Sequence, residues 1–209
     1  MQRTAGRWGT GGRRAGTLRA MRPDHSFEPL VTERLRLRRS VPEDAATISA
    51  YRSDPDVRRF QGWGDTGPDD VRAAIEEMAA RVPGDPGGWV QLSVEERQTG
   101  RLIGDVGVSP ADQPGPGVIK IGYTIAPEFQ GAGYATEAVR ALIDYAFDVL
   151  DVDVVRAYAS AENASSIRVA EKSGLVLMER FEGVEDGVRW RGVRYELGRA
   201  DRDAPTASP

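Results

Sequence analysis

The residues whose types and spacing most clearly indicate a ligand site form a glycine-rich run, Gln130-Gly131-Ala132-Gly133-Tyr134-Ala135. The run lies between an apolar β-type stretch and an amphipathic helical stretch. Glycine lets the backbone approach a ligand closely because it carries no Cβ. The first turn of a helix adds unpaired amide N–H groups and the positive end of the helix dipole. The run therefore predicts a phosphate-binding site at a strand-to-helix junction.

Two common phosphate-binding motifs do not match the glycine-rich run. A dinucleotide-binding loop reads G-x-G-x-x-G, and Thr136 occupies its third glycine position here. A Walker loop ends in G-K-[ST], which is absent. A helix start softened by glycine, with no ligand at all, is the other alternative. The run by itself does not identify the phosphate.

The first 22 residues differ in composition from the rest of the chain. They contain six arginines, five glycines and no acidic residue. Such a segment cannot bury enough apolar surface to offset its chain entropy, so we predict a disordered basic tail over residues 1–27. We expect a second disordered tail over residues 200–209, which leaves one domain over residues 28–199.

The charge and the reactive residues exclude several function classes. Residues 23–209 contain 22 basic and 32 acidic residues, a net charge of −10, which argues against binding to nucleic acid. The chain has no cysteine and one histidine, His25, so thiolate nucleophiles and histidine-based zinc sites are excluded. No apolar run approaches the roughly 20 residues that span a bilayer. We therefore expect a cytoplasmic, metal-free protein with no membrane partner.

Hydrophobic periodicity predicts the elements that position the glycine-rich run. The expected order is β-α-α-β-β-β-α-β-α-β-β, with no internal repeat and no second domain. The predicted strands cover residues 34–39, 88–97, 101–109, 118–126, 153–161, 175–182 and 188–197.

This order resembles the GNAT superfamily of acetyl-CoA-dependent N-acetyltransferases, whose pyrophosphate loop reads Q/R-x-x-G-x-G/A, as residues 130–135 do. The run ENASSIRVAEKSGL at 162–175 is similar to N-x-x-S-x-x-x-x-E-K-x-G-F/L of the RimJ/RimL-like branch, which acetylates ribosomal-protein N-termini. The resemblance covers about residues 30–198. It implies a mixed α/β fold whose central, mostly antiparallel sheet of about seven strands carries helices on both faces.

The resemblance also implies how acetyl-CoA binds. Ile125 and Ala126 would lie beside the pantetheine arm, Asn163 would hydrogen-bond to it, and Lys172 would lie near the adenosine end. Asn163 can equally cap the following helix, and Lys172 can be an exposed cation at its C-terminus. The pyrophosphate would rest on the amides of Gln130, Gly131, Ala132, Gly133, Tyr134 and Ala135.

The implied reaction is transfer of acetyl to a primary amine, either a protein N-terminal α-amine or a small-molecule amine. Without cysteine we expect direct transfer in a ternary complex. Lys120 replaces a glutamate common in the family, and Ala170 replaces a tyrosine acid, so no general base is assigned and a water chain could serve. Ser166 is the candidate for assisting the departing thiolate. The alternative function is a catalytically silent acyl-CoA-binding or sensor module.

The acceptor side of the predicted site is the least defined part. The loop over residues 58–67 carries Phe60 and Trp63, and it lies where members of the family build the acceptor site. Trp63 could instead merely pack the loop. We expect the protein to be a monomer or a homodimer.

Overall fold

A computed structural model describes residues 21–61, 67–86, 88–111, 117–185 and 188–203. The helices within these ranges are α1 (Ala45–Arg52), α2 (Pro55–Arg58), α3 (Pro68–Ala79), α4 (Tyr134–Asp148), α5 (Ala164–Lys172) and α6 (Arg199–Arg202). The strands are β1 (Leu30–Val31), β2 (Leu35–Arg39), β3 (Val90–Glu96), β4 (Leu102–Pro110), β5 (Val118–Ile125), β6 (Val154–Ser160), β7 (Val176–Glu185) and β8 (Val188–Gly198).

The described strands form one sheet in the order β1-β2-β3-β4-β5-β6-β8-β7. Neighbouring strands are antiparallel except β5 and β6, which run parallel. The predicted mixed α/β fold is confirmed, and the predicted elements occur in the expected order, with one additional strand, β1, and two additional four-residue helices, α2 and α6. In the additional strand β1, Leu30 pairs with Leu37 of β2. A strand of two residues is too short to show hydrophobic periodicity.

Helices cover both faces of the sheet. In β4 the side chains of Asp105 and Val106 point to opposite faces, because side chains alternate along a strand. Val106 belongs to the main core, in which Leu142 and Ala146 of α4 are fully buried. Tyr51 of α1 donates a hydrogen bond to Asp105 and therefore lies on the other face.

A short 3₁₀ turn ties the start of the first helical segment to the sheet. A 3₁₀ turn, Pro42–Asp44, precedes α1. The carboxylate that caps this turn belongs to Asp44, which accepts from the Val41 amide at 3.0 Å. Arg38 pairs with the same carboxylate at 2.6 Å, so the start of the helical segment is tied to β2.

Residues 21–27, which were predicted to belong to the disordered tail, pack against the domain. The Arg22 amide donates to the Leu150 carbonyl at 2.9 Å, and the Tyr145 hydroxyl donates to Asp24 at 2.7 Å. The Phe27 ring meets the Tyr145 ring edge-on at 5.6 Å. The tail prediction is therefore wrong for residues 21–27, because their partners lie more than a hundred residues away in the chain. The second tail prediction is likewise wrong for residues 200–203, because α6 extends to Arg202, which pairs with Asp144 of α4 at 3.1 Å. Residues 1–20 and 204–209 lie outside the described residues.

None of the helices in the described ranges has the length and apolar character that crossing a membrane requires.

Candidate active site

A cleft of about 530 Å³ opens where two parallel strands separate. β5 and β6 pair from Val118–Val154 as far as Ile121–Ala157, and β5 then continues to Ile125 paired with β4 on its other edge. The end of β5 forms one wall, and the glycine-rich run forms the floor. The first turns of α5 and the segment from α2 to Gln61 complete the cleft. The separation exposes strand backbone that pairing would otherwise occupy.

The glycine-rich run enters α4 through two left-handed residues. Gly131 has φ 80° and Gly133 has φ 86°, values that favour glycine strongly. A Cβ built on Gly131 would meet no protein atom within 4 Å, so the space in front of this backbone is open. The amides of the first turn of α4 have no intrahelical acceptor. This backbone therefore fits a pyrophosphate group.

A half-buried carboxylate anchors the glycine-rich run to the sheet. Glu137 accepts hydrogen bonds from the Thr32 hydroxyl at 2.5 Å, the Arg34 amide at 2.9 Å and the Arg34 Nε at 2.6 Å. Arg34 also donates to the Ala132 carbonyl at 3.0 Å. Burial tends to raise the pKa of Glu137, but the hydrogen bonds and the Arg34 charge outweigh it and lower that pKa. Arg34 thus fixes the position of the run relative to β2.

Two side chains of the glycine-rich run serve the fold. Gln130 Nε2 donates to the Ile125 carbonyl at 2.8 Å and so closes the end of β5. The Tyr134 hydroxyl donates to Glu96, and this hydrogen bond lowers the pKa of Glu96 and raises that of Tyr134. The part of the run available to a ligand is therefore mainly its backbone.

Helix α5 presents polar groups from the opposite wall. Asn163 Oδ1 accepts from the Ser166 amide at 3.0 Å and caps the helix, as the sequence predicts. The Tyr123 hydroxyl of β5 lies 2.9 Å from the Ser166 carbonyl and 3.0 Å from Ser166 Oγ. Burial raises the pKa of Tyr123, the Ser166 hydrogen bond lowers it by less, and the result is a pKa of about 12. Tyr123 is therefore a neutral hydrogen-bond donor near pH 7.

Comparison with known proteins identifies this arrangement. Residues 34–176 match the family model described as acetyltransferase (GNAT) domain. The chain belongs to the GNAT acetyltransferase family.

Similar proteins include members of the ribosomal branch of this family. An uncharacterized N-acetyltransferase p20 of Bacillus licheniformis is 33% identical over 72% of this chain and 86% of its own length. The putative ribosomal N-acetyltransferase YdaF of Bacillus subtilis is 36% identical over 47% of this chain and 51% of its own. The structure of Mycobacterium smegmatis RimJ in complex with a CoA disulfide superposes with a TM-score of 0.70 at 18% identity, covering 81% of this chain and 84% of that one.

The GNAT cleft has a positively charged end. Arg168 and Lys172 line it from α5. Arg140 of α4 donates to the Lys172 carbonyl and adds a third cation beside them. Asp56 of α2 is the one carboxylate among the described residues that line the cleft, and it lies on the wall formed by α2.

Most of the predicted site residues come together in this cleft, although Ala126 and Ala132 do not line it. The Ala126 amide donates to the Ile103 carbonyl at 2.9 Å, and the residue is buried. Ala132 is exposed and contributes its carbonyl to Arg34. Trp63 lies outside the described residues. The members that line the cleft are Phe60, Ile125, Gln130, Gly131, Gly133, Tyr134, Ala135, Asn163, Ser166 and Lys172.

A buried polar cluster, which the sequence did not reveal, supports the end of β5 from the other face. Asp105 is 1% exposed and accepts from Tyr51, Gln91 and, at 3.1 Å, Arg52. It lies opposite Thr124 of β5 in the sheet. Burial, and then the Asp105 charge, raise the pKa of Tyr51. Because Asp105 is enclosed and fully hydrogen-bonded, its role is to hold α1 against the sheet.

Lys120 lies on the same face as this cluster but away from the cleft. Its ammonium nitrogen lies 5.7 Å from the centre of the Trp89 ring. Lys120 is therefore not placed in the cleft to act as a general base in place of the glutamate that is common in the family. Among the described residues, no group of three or more histidine, aspartate or glutamate side chains is arranged to hold a metal ion.

Proposed function

We propose that this GNAT domain transfers an acetyl group from acetyl-CoA directly to a primary amine, with both substrates bound in the cleft at once. The cleft between β5 and β6 carries this proposal. It joins exposed strand backbone, a glycine-rich phosphate site and a polar helix wall within one cavity of about 530 Å³.

Acetyl-CoA is assigned to the cleft by matching each of its parts to a described group. The pyrophosphate rests on the backbone of residues 131–135, where Gly131 faces open space. The pantetheine arm follows the free end of β5 beside Ile125. Asn163 Oδ1 is occupied as the helix cap, so the Nδ2 group is the one free to donate to an amide carbonyl of the arm. Lys172 and Arg168 attract the phosphates at the adenosine end.

The transfer itself needs little from the protein beyond positioning. The amine forms a bond to the acetyl carbon, the C–S bond breaks, and the electron pair stays on the sulfur. An N–H of the β5 backbone donates to the oxyanion. Ser166 Oγ assists the thiolate, and water accepts the amine proton. Positioning of two substrates alone supplies ~7–11 kcal/mol in favourable cases.

The acceptor is a primary amine, either a protein N-terminal α-amine, in keeping with the names of the ribosomal relatives, or a small-molecule amine. Phe60 and Asp56 line the cleft on the wall that acetyl-CoA leaves free. The Arg59 guanidinium stacks over the Phe60 ring at 5.1 Å and holds this wall in shape. Asp56 attracts the protonated form of the amine before it loses its proton.

Incubation with acetyl-CoA, an amine panel and a thiol reagent tests the proposal. The panel contains short peptides with free N-termini, the same peptides with blocked N-termini, and polyamines. We expect thiol release that requires a free amine. Binding of acetyl-CoA without thiol release would instead support the acyl-CoA-binding module.

A matched pair of variants tests the acceptor wall. Asp56→Asn should raise the KM of a cationic acceptor about two- to fivefold, the worth of one exposed ion pair, and leave the KM of acetyl-CoA unchanged. Asp69→Asn removes an exposed carboxylate of α3 that does not line the cleft and should change neither value. Equal effects of the two variants would contradict a specific role for Asp56.

A further inference from the structure

Tyr123 spans the gap between the two separated strands. It lies two residues beyond Ile121, the last β5 residue that pairs with β6. Its hydroxyl reaches the first turn of α5, the helix that follows β6, and meets Ser166 at two atoms. The Tyr123 ring packs against the main core, which restricts the position of its hydroxyl.

The hydrogen positions at this contact have two arrangements. A phenol has one hydrogen to donate, and a serine hydroxyl has one as well. In the structure Tyr123 donates to the Ser166 carbonyl at 2.9 Å, which leaves the phenol oxygen free to accept the Ser166 hydrogen. When Tyr123 donates to Ser166 Oγ, the Ser166 hydrogen is free to point into the cleft.

We propose that Tyr123 is a positioning residue: as negative charge develops on the sulfur of coenzyme A, its hydroxyl hydrogen turns from the Ser166 carbonyl to Ser166 Oγ and thereby directs the serine hydrogen at the departing sulfur. This inference rests on the proposed acetyl transfer. Tyr123 and Ser166 both line the cleft, and the Ser166 backbone is held in place because Asn163 Oδ1 accepts from its amide at 3.0 Å. Tyr123 reaches α5 from β5, the strand that forms the other wall of the cleft.

Neither Ser166 nor Tyr123 loses its proton in the transfer step. The C–N bond forms, and the C–S bond breaks with its electron pair on sulfur. Ser166 donates a hydrogen bond to that thiolate, and Tyr123 donates to the serine oxygen. The amine proton goes to water. A hydrogen bond to the developing charge is stronger than one between neutral groups, so the pair acts mainly in the transition state.

Single and double variants test the coupling. Ser166→Ala should lower kcat by about ten- to hundredfold, and Tyr123→Phe by about three- to tenfold, with the KM of acetyl-CoA changed less than about twofold. The double variant should be no slower than Ser166→Ala within about twofold, because Tyr123 acts through Ser166. Ser166→Thr keeps the hydroxyl and should retain more activity than Ser166→Ala.

Tyr195→Phe is the matched control. The Tyr195 hydroxyl also donates to α5, at Glu171 Oε1 over 3.0 Å, but it does not reach Ser166. We expect Tyr195→Phe to keep kcat within about twofold of the original protein. Melting temperatures of all variants show whether any loss of activity reflects loss of the fold.

Three results would overturn the inference while leaving acetyl transfer intact. They are full activity of Tyr123→Phe, additive losses in the double variant, and equal losses in Tyr123→Phe and Tyr195→Phe. Hydrolysis of acetyl-CoA in the absence of an amine provides a second readout, because coenzyme A is the leaving group there too. A protein that releases thiol to neither amines nor water would overturn the proposed function together with this inference.

Discussion

Replacing Gly131 by alanine tests the pyrophosphate site with the least damage to the fold. Gly131 has φ 80°, and a Cβ there meets no protein atom within 4 Å. The substitution therefore creates no clash with protein atoms. It places a methyl group in the open space that the pyrophosphate is proposed to occupy.

The expected loss has two separable parts. Holding alanine in the left-handed region costs roughly 1–2 kcal/mol of folding stability. Moving the pyrophosphate away from the backbone costs one charge-assisted hydrogen bond, ~1.5–3 kcal/mol. At ~1.4 kcal/mol for each factor of ten, the second part weakens acetyl-CoA binding about ten- to hundredfold.

Gly100→Ala provides the matched control. Gly100 has φ 71°, it too would place a Cβ within 4 Å of no protein atom, and it lies in the turn between β3 and β4. It does not line the cleft. Calorimetric titration with acetyl-CoA and thermal unfolding should show similar losses of stability in the two variants and weaker binding only in Gly131→Ala. Unchanged affinity in Gly131→Ala, or equal loss of affinity in both variants, would refute the assignment.

Further predictions concern stability, the helix cap and the N-terminal segment. Glu137→Gln should lower the free energy of unfolding by about 1 kcal/mol at pH 7, after a discount for the partly exposed Arg34. The folded pKa of Glu137 is lowered, so this stability exists above the unfolded pKa of ~4.3 and disappears as pH falls through the folded pKa; denaturant unfolding at pH 7 and pH 3 should show the gap closing. Asn163→Ala should lower kcat/KM about two- to tenfold and the melting temperature, whereas Asn163→Asp, which keeps the cap acceptor, should lower kcat/KM alone; equal melting temperatures for the two would contradict the cap. A protein beginning at Met21 should keep its melting temperature, whereas one beginning at Glu28 should melt lower because it lacks the contact between Asp24 and Tyr145; identical melting would show that this contact is unimportant.

The parts of the fold that were predictable have local signals. Gly131 and Gly133 stand at the start of an amphipathic helix, and the structure gives both the left-handed conformation that glycine favours. Asn163 caps α5 three residues before its partner amide. Strand positions followed from periodicity because each strand buries one or both faces.

The parts that escaped prediction depend on long-range contacts. Glu137 and Arg34 are 103 residues apart, and Tyr123 and Ser166 are 43 apart. A single sequence shows an arginine or a tyrosine at these positions without showing which element faces it. The resemblance implied that Ala126, the last residue of the strand predicted over residues 118–126, lies beside the pantetheine arm. Its amide turns to Ile103 instead, which places the last strand residue at the cleft at Ile125.

The central claim is that acetyl-CoA and the amine are both bound when the acetyl group is transferred. Initial-rate kinetics test it most directly. Rates would be measured against acetyl-CoA at several fixed concentrations of an amine acceptor from the panel. Direct transfer in a ternary complex predicts reciprocal plots that intersect. Parallel plots would contradict the account, because they require a covalent acetyl-enzyme in a chain that has no cysteine.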